Sequence, residues 1–216
     1  MPRLSHRILA ALVVLGAVAA GCGPSSSTAL AAQGLEPDED GWYGNAVRTP
    51  HELPAVTFTD VADDREIRFD EAFTGDPTLL FFGYTNCPDI CPIHLAAIAS
   101  SMRAAGIGFD ELDVVFVSVD PERDSPERIR EFVANFDARI TGLHAELDVV
   151  AEALDALDMA GPVVEGPDPR GEGDLIGHPA QVIGFDADGV ARRAWPFGAR
   201  RSDWAADLPR VVDEWS

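Results

Sequence analysis

Two cysteines four positions apart carry the most specific chemical signal in this sequence of 216 residues. They are Cys87 and Cys91, and the residues between them are Pro88, Asp89 and Ile90. In an oxidising compartment such a pair forms a structural disulfide, a redox couple or a soft metal site. Spacing alone leaves all three open, although a bond that closes so short a loop adds little stability. We therefore expect redox chemistry or metal binding at this pair.

A metal site with two sulfur ligands needs a third ligand, and the histidines are few enough to compare. His178 stands at the end of a long loop, directly before an apolar segment. His94 is the alternative, because it would share one stripe of a continuous helix with Cys87 and Cys91. Pro92 weakens that alternative, since it makes Cys91 a helix boundary and leaves Cys87 outside the helix. We favour His178 as the third ligand.

The elements that position these residues alternate between strands and helices. An apolar run from Pro77 to Gly83 predicts a strand buried on both faces, and it ends directly at the cysteine segment. Pro92 suits the first turn of the next helix, whose apolar stripe ends at Gly106. Beyond these two elements, the sequence predicts strands at 53–59, 66–69, 112–119, 181–185 and 190–195, helices from Ser125, at 146–157 and at 202–215 with a kink or break at Pro209, and a functional loop at 161–177.

This order predicts an α/β domain with a thioredoxin-like fold, in which a central mixed β-sheet is flanked by helices and carries an N-terminal extension. The cysteines fall at the C-terminal end of the first central strand. A helix N-terminus there lowers the pKa of a thiol and favours the thiolate, which is both the nucleophile and the soft metal ligand. The loop at 161–177 would pack beside the cysteine helix and deliver His178, and Pro179 is expected to be a cis proline.

The N-terminus has the features of a secretory signal. Early arginines precede an apolar stretch that is too short to cross a bilayer. Small residues directly before Cys22 resemble the lipobox of bacterial lipoproteins. We predict a membrane lipoprotein on the extracytoplasmic face of the cell membrane, with a signal peptide at 1–21, a lipid on Cys22, a flexible tether at 22–50 and one domain at 51–216.

The charge balance narrows the classes of partner. The sequence has 37 acidic and 16 basic residues and a net charge of -21, and all of its basic residues are arginine. Such a charge argues against nucleic acid and against electrostatic attachment to anionic lipid headgroups. A protein partner would present neutral or basic patches.

Several stretches resemble the Sco/SenC family of copper proteins. Residues 82–92, FGYTNCPDICP, are similar to the signature of that family. Residues 119–126, VDPERDSP, are similar to its Asp-Pro-x-x-Asp-x-Pro stretch, and His178 and the turn at 186–189 follow in the expected order. The resemblance covers about 53–216.

The resemblance implies a metallochaperone that binds one copper ion, Cu(I) or Cu(II), through Cys87, Cys91 and His178. It would assist assembly of the dinuclear copper centre of a haem-copper (cytochrome c) oxidase. Its partners would be the copper-bearing subunit of that oxidase and a copper donor protein. Soft thiolates suit Cu(I), and the added imidazole accommodates Cu(II). The family usually has an acidic residue before the histidine, where this chain has Gly177, and Asp174 is a candidate to replace it.

Two other functions stay open at this stage. In a thiol-disulfide oxidoreductase that keeps the oxidase's copper-binding cysteines reduced, Cys87 would attack and Cys91 would resolve, and the two would form a disulfide. In an inert scaffold, the same disulfide would be permanent. Nearby, Asp120, Arg123 and Asp124 are expected to end a strand and cap a helix rather than to bind a partner.

Overall fold

The computed structural model of the protein describes residues 35–171 and 173–216. The strands in this part are β1 (Asn45–Ala46), β2 (Thr57–Asp60), β3 (Arg65–Arg68), β4 (Thr78–Gly83), β5 (Asp113–Ser118), β6 (Thr141–His144), β7 (Val163–Pro167), β8 (Asp174–Gly177), β9 (Val182–Phe185) and β10 (Ala191–Trp195). The helices are α1 (Phe69–Ala72), α2 (Ile90–Ala105), α3 (Pro126–Ala134), α4 (Leu147–Ala156) and α5 (Arg201–Trp215).

Eight strands form one mixed sheet in the order β1-β10-β9-β4-β5-β6-β2-β3. β4, β5 and β6 are parallel, and β9 is antiparallel to β4. Every residue of β4 is buried, as expected for a central strand that is covered on both faces. Gly83 lies opposite Ser118 at the ends of β4 and β5, so the segments that follow these two strands leave the same edge of the sheet. The prediction of a mixed sheet flanked by helices is confirmed.

Helix α2 carries the second cysteine in its first turn. It begins at Ile90, whose backbone N–H donates to the side chain of Asp89 at 2.7 Å. Pro92 is tolerated as the third residue, because the first N–H groups of a helix have no partner within the helix. The helix ends at Gly106, which has a φ of 75°. Helix α2 packs against α5.

The predicted loop at 161–177 is instead largely a β-hairpin. Strands β7 and β8 pair antiparallel as a separate two-stranded sheet. Val163 and Val164 in β7 are 62% and 68% exposed. Main-chain hydrogen bonds, rather than buried side chains, therefore hold β7 and β8 together. A sequence pattern of buried apolar residues does not predict such a pair of strands.

Two other expectations about proline differ from the structure. The described residues contain no cis peptide bond, so Pro179 is a trans proline. A hydrogen bond from the side chain of His94 to the carbonyl of Ala180 brings this segment to helix α2 without a cis bond. Helix α5 continues through Pro209, so the predicted interruption there is absent, while the predicted kink stays a prediction.

The chain before the first predicted strand is packed on the domain. Trp42 is buried and stacks on Trp215 at a ring distance of 5.4 Å. Strand β1 pairs with β10. The fully buried carboxylate of Asp207 accepts hydrogen bonds from the backbone N–H groups of Tyr43 and Gly44 and from the indole N–H of Trp195.

The predicted tether at 22–50 is therefore too long at its C-terminal end, because residues 35–50 lie on the domain. The prediction misses this packing because the segment has no apolar period, and only single side chains such as Trp42 are buried. The predicted signal peptide, Cys22 and the remainder of the tether lie outside the described residues. In the part that the structure describes, no helix is both long and apolar enough to span a membrane.

Candidate metal centre

The loop between β4 and α2 brings the two thiols together. The backbone N–H of Cys87 donates to the carbonyl of Tyr84 at 3.2 Å. The backbone N–H of Cys91 then points at the sulfur of Cys87, at 3.4 Å. Both cysteines are free thiols, so the predicted disulfide between them stays a prediction. Cys91 is fully buried, whereas Cys87 is 7% exposed.

Gly83, the last residue of β4, lies directly against Cys91. A Cβ atom built on Gly83 would lie 2.7 Å from the Cys91 sulfur and 2.8 Å from the ring of Phe116. The absence of a side chain at this position therefore provides the space in which the Cys91 thiol sits.

His178 completes a group of three possible ligands. Its Nε2 lies 3.6 Å from the sulfur of Cys91 and 4.0 Å from that of Cys87. The three ligand atoms all lie within 4.8 Å of one another. Nδ1 of the same ring lies 3.0 Å from the carbonyl of Pro179, which can only accept. Nδ1 therefore carries a proton, and Nε2 is the ring nitrogen turned towards the two sulfurs.

The hydrogen-bond partner of Nδ1 in His178 is not the carboxylate of Asp174, the candidate that the sequence offered. That role falls to the carbonyl of Pro179, while the carbonyl of Asp174 accepts from Arg123 at 2.9 Å. A Cβ atom on Gly177 would lie 2.6 Å from a carboxylate oxygen of Glu165 on the paired strand. Position 177 therefore has no room for a side chain while Glu165 keeps its place.

The second predicted candidate ligand, His94, lies outside the group. It is 1% exposed, and its Nε2 is 3.1 Å from the carbonyl of Ala180. Its ring lies close to those of Phe81, Phe197 and Trp204. The structure therefore brings His178, and not His94, close to the two thiols.

The two thiols differ strongly in acidity. Hydrogen bonding with the Cys91 side chain, and then with His178, lowers the pKa of the Cys87 thiol to about 4. Burial raises the pKa of the Cys91 thiol well above its ordinary value, and the neighbouring Cys87 raises it further. The pair thus holds one thiolate at neutral pH, and that thiolate lies on Cys87.

This asymmetry predicts the pH dependence of alkylation. Because the Cys87 pKa lies below the range tested, its alkylation rate by iodoacetamide should change less than about twofold between pH 6 and pH 8, whereas an ordinary thiol with a pKa near 8.5 changes roughly 80-fold. Cys91 should stay unmodified in the folded protein. Fragment-ion spectra of the alkylated peptides distinguish the two sites, and the urea-unfolded protein is the control. A Cys87 rate that rises with pH as steeply as in urea would contradict the lowered pKa.

A buried carboxylate holds the loop that carries Cys87. Asp124 is fully buried and accepts hydrogen bonds from both the backbone N–H and the hydroxyl of Thr85. It also accepts from the hydroxyl of Ser118 at 2.7 Å. The residue that caps helix α3 is not Asp124 but the neighbouring Ser125, whose hydroxyl accepts from the backbone N–H of Arg128. Asp124 therefore supports the cysteine loop, a role that the residue pattern alone does not predict.

Two arginines from separate elements also donate hydrogen bonds to the loop that carries Cys87. Arg170, in the turn between β7 and β8, donates to the carbonyl of Asn86 at 2.6 Å. Arg128 in helix α3 donates to the side-chain oxygen of Asn86 at 2.8 Å. Asp168, which is 6% exposed, pairs with Arg170 at 2.6 Å. These contacts join the hairpin to the cysteine loop.

Solvent reaches the group from the side of Cys87. A cavity of about 280 Å³ is lined by Cys87 and His178 but not by Cys91. Tyr84 and Glu165 form part of its wall. An ion or a partner sulfur that enters there meets Cys87 and His178 first, which agrees with the order in which the thiols were expected to react.

Comparison with known proteins extends these observations. The family model described as SCO1/SenC matches residues 49–213. The human protein "Protein SCO2 homolog, mitochondrial" is 33% identical over 123 residues, which are 55% of this chain and 44% of that protein. The chain therefore spans about half of the length of such curated relatives, as it also does for "Protein sco1" of Schizosaccharomyces pombe, of which 53% is covered.

Solved structures show the same fold. The copper-bound structure of Bradyrhizobium japonicum ScoI is similar with a TM-score of 0.62 and 28% identity, over 78% of this chain and 99% of that one. Copper-bound yeast Sco1 has a TM-score of 0.65 at 22% identity, over 80% and 90% of the two chains, and supports the fold alone. The prediction of a thioredoxin-like domain is confirmed by these neighbours.

Proposed function

Because the chain belongs to the SCO1/SenC family, we propose that it is a copper metallochaperone that binds one copper ion through Cys87, Cys91 and His178. The observation that carries this proposal is the convergence of these three ligand atoms within 4.8 Å of one another. Nε2 of His178 is the ring nitrogen turned towards the sulfurs, which is the placement that a metal ligand requires.

The chemistry of the three donors fits copper. Thiolate sulfur favours Cu(I), and an imidazole nitrogen suits Cu(II). The site can therefore accept either oxidation state. One thiol is already deprotonated at neutral pH, so binding must displace a proton only from Cys91. The copper-bound structure of Bradyrhizobium japonicum ScoI supports copper as the metal.

We extend the proposal to the recipient of the metal. The family resemblance implies that copper passes to the dinuclear copper centre of a cytochrome c oxidase, through the oxidase subunit that bears it, and that a copper donor protein loads the site. A lipid on Cys22 would hold the domain at the extracytoplasmic face of the cell membrane. A partner surface that is neutral or basic would suit a chain with a net charge of -21.

The acidity of Cys87 favours a second function as a thiol-disulfide oxidoreductase. The Cys87 thiolate would attack one sulfur of a partner disulfide, form a mixed disulfide and release the first partner thiolate. Cys91, deprotonated as it attacks, would then bond to Cys87 and release the second. The cysteine pair would lose two electrons and the partner would gain them. The cavity beside Cys87 supports this order of attack.

Copper titration tests the proposed function. The reduced full chain should bind one equivalent of Cu(I) and of Cu(II) tightly, measured by competition with chromophoric chelators. Cys87→Ser or Cys91→Ser should weaken both by at least about 100-fold, because serine removes a soft ligand. His178→Ala should weaken Cu(II) by about 100-fold and Cu(I) by much less.

The matched control is His144→Ala, which removes an imidazole from β6 outside the group of ligands. Its copper affinities should equal those of the parent. The metallochaperone proposal would be wrong if the parent bound no stoichiometric copper. The oxidoreductase proposal would fail if the Cys87–Cys91 disulfide had a reduction potential below about -300 mV, in the range of stable structural disulfides.

A further inference from the structure

Segment 178–180, which carries the proposed histidine ligand, has few ties to the rest of the domain. None of the backbone hydrogen bonds found outside the helices and strands of the described residues involves His178, Pro179 or Ala180. Nδ1 of His178 bonds only to the carbonyl of its own neighbour, Pro179. The ring of His178 borders two cavities, of about 440 and 280 Å³. Between the end of β8 at Gly177 and the start of β9 at Val182, side-chain contacts therefore help to hold this segment beside the thiols.

His94 makes a tertiary hydrogen bond to the main chain of this segment. It lies one helical turn after Cys91 on α2, and its Nε2 is 3.1 Å from the carbonyl of Ala180. Because a carbonyl can only accept, Nε2 must carry the proton. The imidazole thus joins the helix that holds one thiol to the segment that holds the third ligand.

The surroundings of His94 argue against a role in packing alone, because an imidazole lowers stability there relative to an apolar side chain. The ring is 1% exposed among Phe81, Phe197 and Trp204, and no partner is found for its Nδ1 among the described residues. A buried polar atom without a partner lowers stability, and an apolar side chain would avoid that loss. The bond to Ala180 is the feature of this imidazole that an apolar side chain of similar size would not reproduce.

We propose that His94 is a positioning residue for the copper site, whose bond to Ala180 holds His178 at the distance from the two thiols that a Cu(II) site requires. The inference rests on the proposed function. Its consequence is a difference between oxidation states. Two thiolates suffice as the core of a Cu(I) site, whereas Cu(II) depends on the imidazole. Loss of the bond should therefore affect Cu(II) far more than Cu(I).

Three substitutions in the full chain test this role. His94→Leu and His94→Met remove the donor and fill the pocket with apolar atoms, and methionine adapts if leucine does not fit. His94→Gln is the matched control, because its amide N–H has a similar reach. We expect both apolar variants to weaken Cu(II) about tenfold, equivalent to about 1.4 kcal/mol, with Cu(I) changed by less than about threefold. The Gln variant should stay within about threefold of the parent for both ions.

A measurement without copper separates this inference from the proposed function. Amide hydrogen exchange at Val182, the first residue of β9, in the metal-free protein should be about tenfold faster in the apolar variants and near the parent rate in the Gln variant, because the bond to Ala180 ties down the segment directly before this strand. If the parent bound no copper but exchange changed in this way, the proposed function would fail while the positioning role held.

Three outcomes would overturn the inference. One is unchanged exchange in folded apolar variants. Another is an equal loss of Cu(II) affinity in the Gln and apolar variants. The third is a loss of Cu(I) affinity as large as that of Cu(II), which would mean that His94 supports the thiols through the helix rather than His178 through Ala180.

Discussion

Replacing Gly83 with alanine should displace the Cys91 thiol and weaken copper binding without replacing any proposed ligand. The new Cβ atom would lie 2.7 Å from the Cys91 sulfur and 2.8 Å from the Phe116 ring, well inside contact distance. Overpacking of this kind costs about 1–3 kcal/mol of folding stability, since buried neighbours must leave their preferred rotamers. Cu(I) and Cu(II) should both bind at least about tenfold more weakly, because Cys91 would serve either ion.

Chelator competition and thermal unfolding measure the two effects together. Gly161→Ala is the matched control, because a Cβ atom there has no neighbour within 4 Å. Its melting temperature and copper affinity should both match those of the parent. If Gly83→Ala bound copper as the parent does, the space at the end of β4 would have no part in placing the thiol.

Replacing Asp124 with alanine should have the larger effect on folding. The change removes the acceptor of three hydrogen bonds and leaves the part-buried Thr85 N–H and the buried Ser118 O–H without an acceptor. Each such group costs about 1–3 kcal/mol. We expect a loss of about 3–5 kcal/mol. That loss would lower the melting temperature by about 6–20 °C for a domain of this size.

The same change should also weaken copper binding, because Thr85 is two residues before Cys87 in the loop that Asp124 holds. Asp207→Ala is the control for instability alone, since Asp207 is equally buried but holds Tyr43, Gly44 and Trp195. Both variants should melt early. Below its melting transition, only the Asp124 variant should lose copper affinity, by about tenfold. Equal copper affinities in the two variants would show that Asp124 serves folding alone.

The sequence predicts the centre of the domain well because its patterns there are local. The apolar run of β4 and the stripe of α2 are confirmed, with the helix starting at Ile90. Cys87, Cys91 and His178 also lie close together, while their role as metal ligands stays a prediction. These predictions depended on residue type, on spacing along one strand or helix and on the family resemblance.

The supports of the site were missed because they depend on register and on exposed pairing. Asp124 reaches Thr85 because β4 and β5 run parallel and end at the same edge, and a sequence does not state that register. Arg170 reaches Asn86 because β7 and β8 form a hairpin with exposed valines. His94 has the residue type and helical spacing of a ligand, and only its burial shows that it points elsewhere.

The packed N-terminal segment limits how far an anchored domain could travel. Because this segment packs on helix α5 and strand β10 from Leu35 onward, 13 peptide units join Cys22 to Leu35. Even fully extended, such a length spans no more than about 45 Å, whereas the 28 units from Cys22 to Pro50 would span about 100 Å. If Cys22 is lipidated, the domain stays within that shorter distance of the membrane surface. If the domain also passes copper to a partner, as proposed, that partner would have to present its copper ligands close above the bilayer, and their height above the membrane would limit which partners the domain can reach.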